Sequence, residues 1–186
     1  LAGFPDQDDF EFIELTNTRA TPLDLTNLQF TTGITFDFAS LDPSKRLLPA
    51  NGRIILVRNS AAFSHRYSGV NALGEYSGSL ANSGEIIALT LNETPYLTLT
   101  YNDKSPWPES SDGSGFSLVL TNPASDSQNP LSWQSSPTLG GSPTTTDLID
   151  FAGNATGDSN LDGLNNLLHF AFTNSAESPT RPSVAL

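Results

Sequence analysis

The segment Asp158-Ser-Asn-Leu-Asp-Gly-Leu-Asn-Asn-Leu-Leu-His169 is where residue type and spacing come closest to a defined chemistry. Asp158, Asn160 and Asp162 stand at alternate positions, Gly163 follows, and Leu164–Phe172 reads as a helix. Calcium takes roughly six to eight oxygens, and an EF-hand-type loop supplies them from its first, third, fifth, seventh, ninth and twelfth places, with Gly at the sixth. In that register the backbone carbonyl of Leu164 falls at the seventh place and Asn166 at the ninth. His169 takes the twelfth, where a bidentate Glu is expected, and imidazole is a poor ligand for calcium. A weak calcium site is therefore one reading. A turn followed by a helix N-cap is the other, since Asp and Asn serve both. The acidic run Asp6-Gln-Asp-Asp9 offers carboxylates too, and reads as a solvated tail.

Signatures of catalysis are missing. The two histidines, His65 and His169, lie far apart in the chain. There is no His-Glu-x-x-His metal helix, no Gly-x-Ser-x-Gly elbow and no phosphate-cradling Gly-Lys loop. Nothing selects a pair from the 20 acidic residues for glycoside hydrolysis. Cys is absent, which removes disulfides, a thiol nucleophile and thiolate zinc sites. The formal net charge of −12 opposes binding to nucleic acid or to an anionic membrane surface. No apolar run reaches the roughly 18 residues that span a bilayer as a helix. The chain opens on Leu, contains no Met and shows no signal-peptide pattern, so it reads as a piece of a longer protein.

The elements that would carry such residues are short strands. Only 15% of the 186 residues are charged and 37% are hydrophobic; Ser, Thr, Asn, Gly and Pro fill the gap, a mixture that favours turns and strands. Phe10–Leu15 is aromatic and β-branched. Ile34, Phe36 and Phe38 alternate with Thr35 and Asp37, the period of a half-buried strand. Arg53-Ile-Ile-Leu-Val57 is apolar without interruption and predicts a central strand. Asn59–Tyr67 predicts a short helix, capped by Asn59 or Ser60 and ended by Gly69, with Phe63 and Tyr67 on its buried side. Glu85–Leu91 and Tyr96–Tyr101 predict a hairpin around Asn92–Pro95, and Phe116–Leu120 the last strand. From Thr121 to Asp147 the composition predicts a strap and then a linker, anchored by Trp133. Such a series of strands predicts an all-β fold, an antiparallel sandwich. Its core is expected to include Phe12, Ile13, Leu25, Phe36, Ile55, Leu56, Leu89 and Leu118.

Glu11-Phe-Ile-Glu-Leu-Thr-Asn17, Leu23-Asp-Leu25 and Leu48-Pro-Ala-Asn-Gly-Arg-Ile-Ile-Leu-Val57 together resemble the lamin tail domain, in its prokaryotic branch. The Phe63…Tyr67 helix, Tyr76-Ser-Gly-Ser-Leu-Ala-Asn-Ser-Gly-Glu85, Trp107-Pro108, Asp112-Gly113, Ser117-Leu118 and Trp133 continue the likeness in order, over residues 9–143. The resemblance implies an immunoglobulin-like β-sandwich with one short helix, and a non-catalytic interaction or attachment module of a larger, extracellular or cell-surface bacterial protein. It also implies an opening strand, with an Asn-Glu-Ile type motif, that has no counterpart before Glu11; without it one sheet would keep an unpaired edge, and edges recruit other chains. In this division 144–157 is a linker, and 158–186 holds the Asp-rich loop, a tail helix and the start of a following region. The loop resembles the dockerin-like and Asp-rich calcium segments of secreted bacterial proteins.

Gly84 is expected at a positive φ, Trp107 and Trp133 over the open end of the sandwich, and Glu11 and Glu14 in solvent. Three partner classes follow. A protein or cell-surface ligand is the first. A carbohydrate is the second, and needs Trp107, Trp133 and Tyr101 to form an exposed platform. Nucleic acid is the third, and needs Lys45, Arg46, Arg53, Arg58 and Arg66 to gather on one face against the net charge.

The calcium reading has a direct test. A loop short of one carboxylate should bind at or beyond about 10⁻⁴–10⁻³ M, the range of extracellular modules. By calorimetry, His169→Glu should tighten calcium binding and Asp162→Ala should abolish it. Equal binding by all three proteins, or none even with Glu restored, leaves only a turn and a helix cap.

Overall fold

The computed structural model describes residues 3–145 and 147. The chain divides into two compact units, Leu1–Asp147 and Leu148–Leu186, so every described residue belongs to the first. The calcium candidates Asp158, Asn160, Asp162, Leu164, Asn166 and His169, and the tail helix, lie outside the described residues.

The fold is all-β and sandwich-like, with one short α-helix. In chain order the strands are β1 (Phe12–Thr16), β2 (Leu23–Asp24), β3 (Leu28–Thr32), β4 (Ile34–Asp37), β5 (Leu47–Leu48), β6 (Arg53–Val57), β7 (Gly74–Glu75), β8 (Ser77–Gly78), β9 (Ile86–Leu91), β10 (Thr94–Thr100), β11 (Phe116–Leu120) and β12 (Trp133–Leu139). One sheet has the order β1-β6-β7 and the other β10-β9-β3-β4-β8; β2 pairs with β5, and β11 with β12. All pairings are antiparallel except that of β6 with β7.

The apolar run of β6 is explained by burial on both faces. Leu56 joins the main core with Leu25, Leu28, Phe30, Ile34, Phe36, Phe38 and Leu89, and Ile54 packs against it with Ile13 and Leu15 of β1. Ile55 and Val57 point the other way, onto Phe63 of helix α1 (Ser60–Arg66). Alternate residues of one strand therefore serve two cores, and β6 lies between two neighbouring strands as its composition predicts. On β4, Ile34 and Phe36 are buried and Thr35 and Asp37 exposed, as period two requires. Phe38 is fully buried, edge-on to Phe36 at 4.9 Å.

Local chemistry sets the ends of the elements. The Asn59 side chain accepts from the N–H groups of Ala61 and Ala62, starting α1 at Ser60. Asn92 and Glu93 have φ of 49° and 64° and form the two-residue turn between β9 and β10. Gly84 has φ +99°, and a Cβ there would lie 2.4 Å from the Tyr101 carbonyl oxygen, so two constraints select glycine.

Two expectations need correction. The stretch read as a strap contains β12, whose Trp133, Gln134 and Ser135 pair with Leu120, Val119 and Leu118. Its polar sequence, with Pro137, hides the strand; pairing with β11 and the bond from Ser117 N–H to Ser136 Oγ (2.9 Å) hold it. Leu118 is half-buried, and Phe12 and Ile13 pack at the margins of the two cores; Phe30, Phe38 and Phe63 are the largest of the fully buried side chains. Among the described residues no helix is long and apolar enough to cross a membrane.

Truncating Ile55 or Leu89 to Ala should cost about 2–5 kcal/mol in urea unfolding, the range for large-to-small core changes. Leu131→Ala, at a residue 76% exposed, should stay within about 0.5 kcal/mol. A loss below half a kilocalorie at both core positions contradicts this packing.

Candidate functional site

Asn17, at the end of β1, is a polar residue only 3% exposed. Its side-chain amide donates to the carbonyls of Thr21 (3.0 Å), Leu48 (3.2 Å) and Pro49 (2.8 Å), and its Oδ1 accepts from Arg19 N–H (3.1 Å). Its own N–H donates to the Gly52 carbonyl at 2.9 Å. One side chain thus fixes the turn after β1 and the loop between β5 and β6. The turn delivers Arg19 to the side of the sandwich where β1 and β10 lie.

A cavity of about 290 Å³ opens there. Leu15, Leu23, Leu28, Ile54, Leu89 and Leu97 make its walls apolar, and Arg19 and Tyr96 contribute polar groups. Arg19 Nη2 donates to the Tyr96 hydroxyl at 3.1 Å, and the guanidinium carbon lies 5.9 Å from the centre of the Tyr96 ring. Among the described residues no carboxylate lies within ion-pair distance of Arg19. The strands on either side are edges: β1 has β6, and β10 has β9, as its one strand neighbour among the described residues. Six of the seven residues of β10 are exposed and none carries a charge. Pro95, which cannot donate to a ladder, sits on it, as Pro does on edge strands. Gln128 Nε2 reaches the Thr98 carbonyl from the loop before β12.

A second groove, of about 490 Å³, is lined by Lys45, Arg53, Ile55, Asn71, Leu73 and Thr144. Its Arg53 is already paired with Glu14 at 3.1 Å.

Three further arginines are also committed. Arg58 pairs with Asp8 (3.0 Å) and Asp6 (3.6 Å). Arg46 donates to the Leu41 carbonyl, and Arg66 stacks 3.6 Å above the Phe10 ring. The four arginines of the set needed for nucleic acid are thus spread over acids, a carbonyl and a ring, and Lys45 lines the second groove. The acidic run is likewise engaged, since Asp9 accepts from Asn59 Nδ2 at 3.3 Å. Among the described residues no three His, Cys, Asp or Glu side chains gather as for a metal.

The aromatic trio does not form a platform. Trp107 is buried and packs 6.0 Å from Trp133, whose Nε1 donates to the Ser127 carbonyl. The Tyr101 hydroxyl donates to the Ala81 carbonyl at 2.7 Å and lies 3.0 Å from Glu85 Oε1.

Glu11 also departs from expectation. Its carboxylate is half-buried and accepts from Leu80 N–H (2.9 Å) and the Tyr76 hydroxyl (3.1 Å), pinning the Tyr76–Glu85 loop. Glu14 is also engaged, by Arg53 and by Thr144 N–H. Flanking apolar residues give no sign of such partners, which come from distant parts of the chain. Burial raises the Glu11 pKa above its ordinary 4.5, with Asp8 adding to the rise; the bonds from Leu80 and Tyr76 and the charge of Arg58 oppose it. Burial, and then the Glu11 charge, push the Tyr76 hydroxyl upward; burial and Glu85 do the same to Tyr101.

The chain matches no family model, no curated protein and no solved structure.

A raised carboxyl pKa means that the folded state holds the proton more tightly than the unfolded one. Its contribution to stability therefore falls as pH rises from about 4.5 through the folded pKa. Glu11→Gln keeps an acceptor for Leu80 and Tyr76 and removes that titration. In urea unfolding, the difference between variant and wild type should shift in favour of Gln as pH rises from 4 to neutrality. A shift toward Glu would contradict the desolvated carboxylate.

Proposed function

We propose that the chain is a non-catalytic interaction module of lamin-tail type, part of a larger secreted or cell-surface bacterial protein. Its contact surface is the side of the sandwich where the edges of β1 and β10 flank the leucine-walled cavity. The resemblance over residues 9–143 supports the module class and the location. The observation that carries the contact surface is the uncharged, exposed edge of β10 beside an apolar cavity. Long edge strands without charges are templates for another chain, and natural proteins usually blunt them. Among the described residues the blunting is Pro95 at one end and the Gln128 contact at Thr98. Strand addition joins main-chain hydrogen bonds along such an edge with pockets that select side chains.

The described titratable groups fit a non-catalytic role. Glu11, Glu85, Tyr76 and Tyr101 hold loops, and Asp6 and Asp8 hold Arg58. His65 is exposed on α1, 5.7 Å from the Phe4 ring.

Panning a phage library of random dodecapeptides on the domain tests the reading. Selected peptides should bind wild type and lose at least tenfold in affinity for Thr98→Pro, which alters the backbone of the β10 edge. Thermal unfolding of that variant should confirm that it still folds; Leu97→Asp, at the mouth of the cavity, serves as the second variant. Peptides that bind all three proteins alike would overturn the assignment of the surface.

A further inference from the structure

The cavity has one feature that an apolar pocket for a buried side chain does not need, namely Arg19. A guanidinium carries five N–H donors in a planar fork suited to carboxylates. Among the described residues, the side chain of Arg19 uses one of these, on the Tyr96 hydroxyl. The ion pairs of the described residues join Arg53 or Arg58 to an acid, in a protein of formal net charge −12. Arg46 and Arg66 also lack an acid among the described residues, but they are engaged by a carbonyl and a ring, whereas Arg19 lines an apolar cavity with most of its donors unused. Its backbone is held in place: Asn17 fixes the turn through the Arg19 N–H, and the exposed guanidinium donates to the Tyr96 hydroxyl at the rim of the cavity. Pre-positioning of this kind lowers the entropy lost when a ligand binds.

The size of the cavity limits the ligand. About 290 Å³ lies just below the roughly 300–1,000 Å³ found for ligand pockets, and suits a single apolar side chain better than a folded surface. The β10 edge beside it offers main-chain groups to an extended segment.

We infer that the site takes an extended peptide segment of a partner protein that places a leucine-sized apolar side chain in the cavity and an adjacent carboxylate on Arg19. The inference rests on the proposed contact surface and adds the chemistry read there. The carboxylate comes either from a chain end or from an Asp or Glu neighbouring the apolar residue.

Fluorescence anisotropy with three labelled octapeptides tests it. The first is a neutral Thr/Ser/Val segment ending in Leu with a free carboxylate. The second is its C-terminal amide, and the third an amide in which Asp follows the Leu. The free acid should bind saturably and the plain amide at least tenfold more weakly. Arg19→Gln should make the acid and the amide equal, with an unchanged thermal midpoint. Recovery by the Leu-Asp amide assigns the carboxylate to a side chain, and no recovery assigns it to a chain end; both support the inference. Equal binding of acid and amide to wild type overturns it, as does the absence of saturable binding by all three. Competition by decanoate as strong as that of the free-acid peptide makes the site a fatty-acid pocket and overturns it. So does dimerisation of the domain in sedimentation that Leu97→Asp removes. Library peptides that depend on the β10 edge but ignore the carboxylate overturn this inference alone; if no binding depends on the edge, the contact surface falls with it.

Discussion

The buried amide of Asn17 is the constraint on which the open side of the sandwich depends. Three carbonyls, one N–H acceptor bond and its own N–H join the end of β1 to the turn before β2 and to the loop that leads into β6. A buried amide left without partners costs about 1–3 kcal/mol per group, so the arrangement tolerates little slack. Leu48, whose carbonyl takes one of these bonds, is itself buried in the main core. The same side chain thereby links a core position to the exposed turn that carries Arg19. A binding group on a loop gains precision when the loop is tied to the scaffold in this way.

From that point the two cores divide the labour. The main core joins the two sheets, and the smaller one seats α1 on the back of β6. Because α1 and its Phe63 and Tyr67 cover that back face, the sheet of β1, β6 and β7 is shielded there as well as against the second sheet. Among the described residues no helix covers the side between β1 and β10, where Pro123 lines the cavity and Gln128 reaches β10; its apolar walls are continuous with the main core through Leu25, Leu28 and Leu89. The electrostatics run in parallel. Arg46, Arg53 and Arg58 are held on oxygen atoms and Arg66 on a ring, while Arg19 rests on a neutral phenol.

What the sequence reveals follows from the range of the interactions. The central position of β6, the alternation along β4, the Asn59 cap and the positive φ of Gly84 all depend on local pattern or local sterics, and each is legible in a few residues. Asn17 is legible in part: its cap on the Arg19 backbone is a short-range turn feature, whereas its bonds to Leu48 and Pro49 span more than thirty residues. β12 is hidden because its stability lies in its partner strand and not in its own Ser- and Pro-rich composition. Glu11 reads as a solvated strand residue because its partners, Tyr76 and Leu80, come from a distant loop. The cavity has the least signal of all. Its walls are leucines indistinguishable in sequence from core leucines, and only the fold leaves a gap between them and sets Arg19 beside it.

The most direct measurement is a two-dimensional amide NMR titration of the 15N-labelled domain with the free-acid leucine peptide. The largest shifts should fall on Leu15, Thr18, Arg19, Tyr96 and Leu97, the residues around the cavity and the β10 edge. Shifts centred on the groove of Lys45, Arg53 and Asn71, or on Trp107 and Trp133, would contradict it.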